Sequence, residues 1–100
     1  MAGFNNNNMQ NLMRQAQKMQ EDMKRIREEI DATEYTSSVG GGMVEVTMLG
    51  NKTVKAVRIK PEVVDPDDVE MLEDLMVSAV NDCISKITAD EQSRLPNLGM

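Results

Sequence analysis

Three groups of residues in this sequence have types and spacings that could carry chemistry: a run of glycines, an acidic cluster with a lone thiol, and cations repeated at helical intervals. The glycines stand in Ser38-Val39-Gly40-Gly41-Gly42-Met43-Val44-Glu45-Val46. A phosphate-cradling loop needs glycines that follow a strand and open a helix, so that backbone N–H groups and a Lys converge on the anion. Here the run from Met43 to Leu49 is β-branched and roughly alternating, and no Gly-Lys-Ser/Thr occurs. The glycines are therefore read as a bend between two antiparallel strands, where they permit positive φ angles and close backbone approach.

Catalytic chemistry finds little support. The chain has no His, so Ser37, Ser38, Ser78, Ser85 and Ser93 lack an imidazole base, and no serine-plus-lysine spacing stands out. Cys83 falls on the apolar seam of a helix, where a thiol is usually inert. Asp65, Asp67 and Asp68 lack the Gly at position 6 and the Glu at position 12 of an EF-hand loop. They are read as helix-capping residues. No catalytic, cofactor-binding or metal residues are assigned, and neither an enzyme nor a small-molecule substrate is expected.

The cations are more informative. Arg14, Lys18, Glu21, Arg25 and Glu28 fall at i, i+4, i+7, i+11 and i+14, with Lys24 and Arg27 nearby. This is either a solvated face laced with Glu21–Arg25 pairs, each contributing about 0.2–0.5 kcal/mol, or a binding face. A second group, Lys52, Lys55, Arg58 and Lys60, lies on a strand and its turn and is read as a solvated strand face.

The elements that must position these groups follow from periodicity. Met9, Leu12, Ala16, Met19, Met23, Ile26 and Ile30 are separated alternately by 3 and 4 residues, the spacing of a coiled-coil seam on a long amphipathic helix. Three strands follow in a meander, near Glu34–Val39, Met43–Leu49 and Thr53–Lys60, with Gly50-Asn51 as a two-residue turn between the last two. A second helix is expected to start with Asp65 as N-cap and Pro66 at the first helical position, and to run to about Ala89. Its seam is Val69, Leu72, Met76, Ala79 and Cys83. Residues 1–8 read as a disordered lead-in, 9–92 as one domain and 93–100 as a flexible tail. Short strands beside long helices leave part of each apolar stripe uncovered, as does the open edge of the first strand, and a second copy of the chain would cover both.

Composition agrees with a single α+β domain. Among 100 residues, Phe4 and Tyr35 are the only aromatics and ten are Met, so the core is aliphatic and flexible. One Cys excludes an intrachain disulfide, and no signal peptide or run of about 20 apolar residues occurs. A soluble, intracellular protein with no membrane partner is expected. The net charge of −6 opposes a nucleic-acid partner at first sight, yet residues 1–60 hold nine basic and seven acidic side chains (+2) while residues 61–100 hold two and ten (−8). A mildly basic surface can coexist with an acidic one if the two segments face different ways.

The stretches Met9-Gln10-Asn11-Leu12-Met13-Arg14-Gln15-Ala16-Gln17-Lys18-Met19-Gln20, Gly40-Gly41-Gly42-Met43-Val44, Val63-Val64-Asp65-Pro66-Asp67-Asp68-Val69-Glu70-Met71-Leu72-Glu73-Asp74-Leu75 and Ala79-Val80-Asn81-Asp82 together resemble the YbaB/EbfC family of bacterial nucleoid-associated proteins. The likeness runs from about Met9 to Arg94, and the second-helix stretch is its specific part. It implies an α-β-β-β-α subunit, a three-stranded antiparallel meander flanked by two long helices, dimerised through its sheet into a tweezer-like homodimer. It also implies a cytoplasmic, nucleoid-associated protein that binds double-stranded DNA and influences nucleoid organisation or gene expression, without cofactor. DNA contact on the helical arms would fall to Arg14, Lys18, Lys24 and Arg25, then Lys86 and Arg94. The alternative is a module whose arms grip a protein partner through exposed Met, Leu and Ile, with DNA association indirect.

Overall fold

The 3,4-spaced apolar residues and the absence of Gly or Pro between Asn6 and Ala32 favour one uninterrupted helix. The computed structural model, which describes residues 6–95, contains that helix as α1 (Asn6–Ala32), followed by β1 (Glu34–Val39), β2 (Val44–Leu49), β3 (Val54–Ile59), a 3₁₀ turn at Pro61–Val63 and α2 (Val69–Arg94). The class is α+β and the order α-β-β-β-α, as the sequence predicts. Helix α1 begins within the Asn run and α2 continues to Arg94, past the end expected near Ala89. Leu95, placed in the tail by the sequence reading, is buried. The remainder of the predicted lead-in and tail, residues 1–5 and 96–100, lies outside the described residues.

The sheet is antiparallel with order β1-β2-β3. Its register pairs Ser37 with Val46 and Val39 with Val44 on one side of β2, and Val46 with Val57 and Val44 with Ile59 on the other. Because side chains alternate along a strand, Val44, Val46 and Met48 form one row, and all three are buried beneath α2. Leu72, Leu75, Met76, Ala79, Val80, Cys83, Ile84 and Ile87 supply the facing surface. Small residues at the closest approach let the helix settle on the strands: Ala79 and Cys83 are fully buried, and Cys83 Sγ donates to Val46 O at 3.2 Å. Ser37, the buried polar residue on β1, donates from Oγ to Asp82 Oδ2 at 2.7 Å.

Two local expectations are corrected. The N-cap of α2 is Asp68, whose Oδ1 accepts from the Met71 N–H at 3.3 Å. Asp65 caps a tight turn instead, its carboxylate accepting from the Asp67 N–H at 2.9 Å and its carbonyl from the Asp68 N–H at 2.9 Å. Pro66 lies inside that turn, with its φ fixed by the ring, and the helix starts after Asp68. The β2–β3 connection is also wider than two residues. Lys52 takes φ 70° and donates from its N–H to Leu49 O at 2.8 Å, while the Leu49 N–H donates to Thr53 O at 2.8 Å. Gly50, Asn51 and Lys52 thus form the loop, and a register shift between Thr47 and Met48 follows on the adjoining strands.

This loop anchors α1. The Gly50 N–H donates to Thr33 O at 3.0 Å, and a Cβ on Gly50 would lie 1.8 Å from Ile30 O. Only glycine permits that approach. Ile30 is fully buried, whereas every side chain from Asn8 to Glu21 is exposed. The first half of α1 is therefore a lone helix of about 21 Å projecting from the body. With it the molecule measures 82 × 21 × 16 Å and has a radius of gyration of 21.6 Å, against about 13 Å for an ordinary domain of this size.

Helix α2 lies over β1 and β2 and leaves β3 uncovered. Val54, Val57 and Ile59 share the row of the buried β2 residues, yet they are 47%, 42% and 39% exposed. The outer edge of β1 has no partner strand in the sheet, as expected, and β3 adds an uncovered apolar row that the sequence did not single out.

Candidate nucleic-acid interface

Which cations can meet an anion depends on which are already neutralised. At the junction of the two helices, Arg27 Nη1 lies 2.8 Å from Glu91 Oε2 and Arg27 Nη2 lies 2.8 Å from Asp31 Oδ1. Lys52 Nζ approaches the same Glu91 oxygen at 3.8 Å. Arg94 Nε donates to Asp90 Oδ1 at 3.1 Å, and its Nη1 lies 3.8 Å from Glu29 Oε1. Tyr35 reaches up from β1 and donates from its hydroxyl to Asp90 Oδ2 at 2.5 Å. Burial and this bond push the Tyr35 phenol up to about 12. The Tyr35 hydroxyl and the Arg94 guanidinium hold the Asp90 carboxyl below the usual carboxylate range. The cluster ties α1, α2, β1 and the Gly50–Lys52 loop together at the base of the arm.

The six cations that the family resemblance puts forward divide in the same way. Arg25 lies 2.9 Å from Asp22 and 4.0 Å from Glu29 on its own helix. Lys86 donates to Thr36 O at 2.7 Å and lies 3.7 Å from Asp82. Arg94 belongs to the junction. Arg14, Lys18 and Lys24 are exposed and, among the described residues, make no ion pair. Arg14 and Lys18, four residues apart, share a shallow groove with Asn11 and Gln15 on one side of the arm. Lys24 lies about 120° around the helix from Lys18 and does not join them. The arm thus presents cations and amides to solvent, groups able to donate to phosphate oxygens or base edges.

The acidic surface is elsewhere. Asp68, Glu70 and Asp74 line a concavity with Met71, Leu75 and Ser78 at the start of α2. That end of α2 lies against the glycine hairpin, as the approach of Leu75 to Gly40 shows, and the arm leaves from the opposite end of the sheet. The acidic start of α2 and the basic arm therefore do not oppose one another.

Burial pushes the Cys83 thiol up, which keeps it protonated. Asp65 and Asp68 are occupied with backbone N–H groups, and no group of three or more His, Cys, Asp or Glu residues placed to hold a metal occurs among the described residues. No helix among them is long and apolar enough to cross a membrane.

One distinction escaped the sequence. The second cationic group divides: Lys55 pairs with Glu34 and Lys52 with Glu91, while Arg58 and Lys60 make no ion pair among the described residues. The signal was present only in part. Cross-strand register decides which carboxylate each strand cation can reach, and register depends on the shift beside Lys55.

Solved structures support the architecture. A crystal structure of an uncharacterized protein, HP0035, from Helicobacter pylori superposes with a TM-score of 0.72 over 98% of this chain and 100% of that one, at 21% identity, which speaks to fold alone. Closer in sequence is a nucleoid-associated protein, CLL_A3446, of Clostridium botulinum (strain Eklund 17B / Type B), 51% identical over 97 residues that cover 97% of this chain and 86% of the relative. A nucleoid-associated protein of Acetivibrio thermocellus is 55% identical over 84% of this chain and 73% of the relative. The YbaB/EbfC DNA-binding family matches residues 5–99, and with relatives of this identity over most of its length the chain belongs to that family.

Proposed function

We propose that the protein is a nucleoid-associated protein of the cytoplasm that binds double-stranded DNA as a homodimer, mainly through phosphate contacts, and thereby affects nucleoid organisation or gene expression. The observation that carries this reading is the set of uncompensated cations on the projecting half of α1. Arg14 and Lys18 stand on an exposed, unobstructed helix face, whereas Arg25, Lys86 and Arg94 are engaged by carboxylates of the same chain. Phosphate contacts from Lys and Arg dominate duplex affinity, and an already paired cation contributes less because its counter-ion is built in. The names carried by relatives at about half identity support the same class. The homodimer rests on the row Val54, Val57 and Ile59, an apolar strand face that a second copy of itself would cover.

The test compares two sets of variants in duplex-DNA binding. Arg14→Glu with Lys18→Glu weakens binding across all sequences and lowers the salt slope by roughly 2, while Lys86→Ala and Arg94→Ala leave it nearly unchanged. Unaltered affinity in the first variant, with folding intact, removes the arm assignment.

A second reading has its own observation. Met9, Leu12, Met13 and Met19 are exposed on the same arm, an apolar surface that would suit a protein partner whose association with DNA makes that of this chain indirect. Recovery of one stoichiometric protein after nuclease treatment, with no duplex binding by the isolated chain, favours it.

A further inference from the structure

Arg58, on β3, and Lys60, just past its end, stand where the chain passes the glycine hairpin. A concavity of ≈ 310 Å³ opens there, lined by Gly42, Glu45, Arg58, Ile59, Lys60 and Pro61. Both cations are exposed and, among the described residues, neither makes an ion pair, although Arg58 stands opposite Glu45 in the strand register. Gly42 takes φ 92°, and its Cα lies beside the Lys60 ammonium, since a Cβ there would stand in ordinary contact with Lys60 Nζ, at 3.8 Å. The hairpin is not a backbone phosphate cradle. The N–H groups of Gly42 and Met43 already donate to Val39 O at 3.2 Å and to Gly40 O at 3.4 Å.

We propose that this concavity is a second DNA-contact site, holding one phosphodiester between the Arg58 guanidinium and the Lys60 ammonium. The charges suit that group. Two cations and the Glu45 carboxylate leave a net +1, which matches the single charge of a phosphodiester better than the roughly double charge of a phosphomonoester at neutral pH. Arg offers planar paired donors and Lys a point charge, a combination suited to the non-bridging oxygens. Position makes the site distinct from the arm. The glycine hairpin is at the opposite end of the sheet from the Gly50–Lys52 loop that anchors α1, so Arg58 and Lys60 lie about 40 Å from Arg14 and Lys18. This exceeds one turn of duplex, about 34 Å. The two groups therefore hold different phosphates, and their contributions add.

The inference rests on the reading of the chain as a DNA-binding protein, and the test separates the two. Isotope-labelled protein is titrated with duplex DNA at low salt while backbone amide shifts are followed. Saturable shifts at Gly41, Gly42 and Lys60, in addition to those around Arg14–Lys18, are expected. Arg58→Ala with Lys60→Ala abolishes the first set, keeps the second and lowers the salt slope by roughly 2. Shifts confined to the arm overturn the second site and leave the DNA reading standing. Shifts confined to the hairpin support this site and remove the arm assignment, and no shift anywhere overturns both. Both side chains are exposed, so circular dichroism of the double variant is expected to match the parent; if it does not, the amide shifts of the parent still decide.

Discussion

Tyr35, one of two aromatic residues in the chain, shows how a single side chain joins the pieces. Its hydroxyl spans from β1 to Asp90 on α2, beside the Arg94–Glu29 contact with α1. The linkage has a definite sign. Asp90 is lowered in the folded state, so its contribution is present above the ordinary carboxylate range and is lost as pH falls through the folded value. Tyr35 is raised to about 12, so its contribution is full below about 10 and is lost as pH rises towards 12. Thermal unfolding followed against pH is expected to show a plateau between these limits, and Tyr35→Phe to flatten the alkaline side. An unchanged alkaline limb would contradict the assignment. At this scale the sequence marked the right residue types but not their engagement. Arg14 and Arg94 look alike in a string of letters; Asp90 pairs with Arg94 only because α2 runs past Ala89, and only the fold brings Glu29 of α1 beside it.

At the scale of elements, the base of the arm depends on a contact that leaves no room for a side chain. Gly50→Ala drives a methyl into the Ile30 carbonyl. Overpacking of this kind costs about 1–3 kcal/mol or more, and chemical denaturation is expected to show it, with a weaker α1 anchor. Ile30→Ala, which empties a fully buried site, is expected to cost about 2–5 kcal/mol. Beyond the anchor, the helix from Asn8 to Glu21 has no tertiary cover, and isolated helices of that length are marginal in water. Amide exchange is therefore expected to be fast over that half of α1 and slow from Met23 onward. Much of this was legible. Periodicity of 3 and 4 marked both helices, and alternation marked the strands to within a residue or two. The α2 start was misplaced because Asp65, Asp67 and Asp68 all satisfy the capping pattern, and the choice among them rests on the Pro66 turn. Nor did the pattern reveal that α1 covers almost none of the sheet, since a coiled-coil seam reads the same with or without a partner.

At the scale of the whole molecule, charge and uncovered apolar surface are segregated. The acidic start of α2 lies at one end of the sheet, and the basic arm leaves from the other. The net charge of −6 is thus no obstacle to a phosphate contact made on the arm. The sheet carries the other exposed feature, the apolar row of β3. Val57→Glu is expected to convert a dimer to a folded monomer, checked by light scattering with chromatography; a monomeric parent chain would contradict the reading of that row. Direct binding of duplex phosphates by the uncompensated cations is best checked by a salt titration of duplex binding with random and defined sequences in parallel. Little dependence on sequence is expected, with an affinity that falls log-linearly with salt at a slope of about −0.9 for each phosphate neutralised. An absence of binding even at low salt, or an affinity indifferent to salt, would contradict direct phosphate binding.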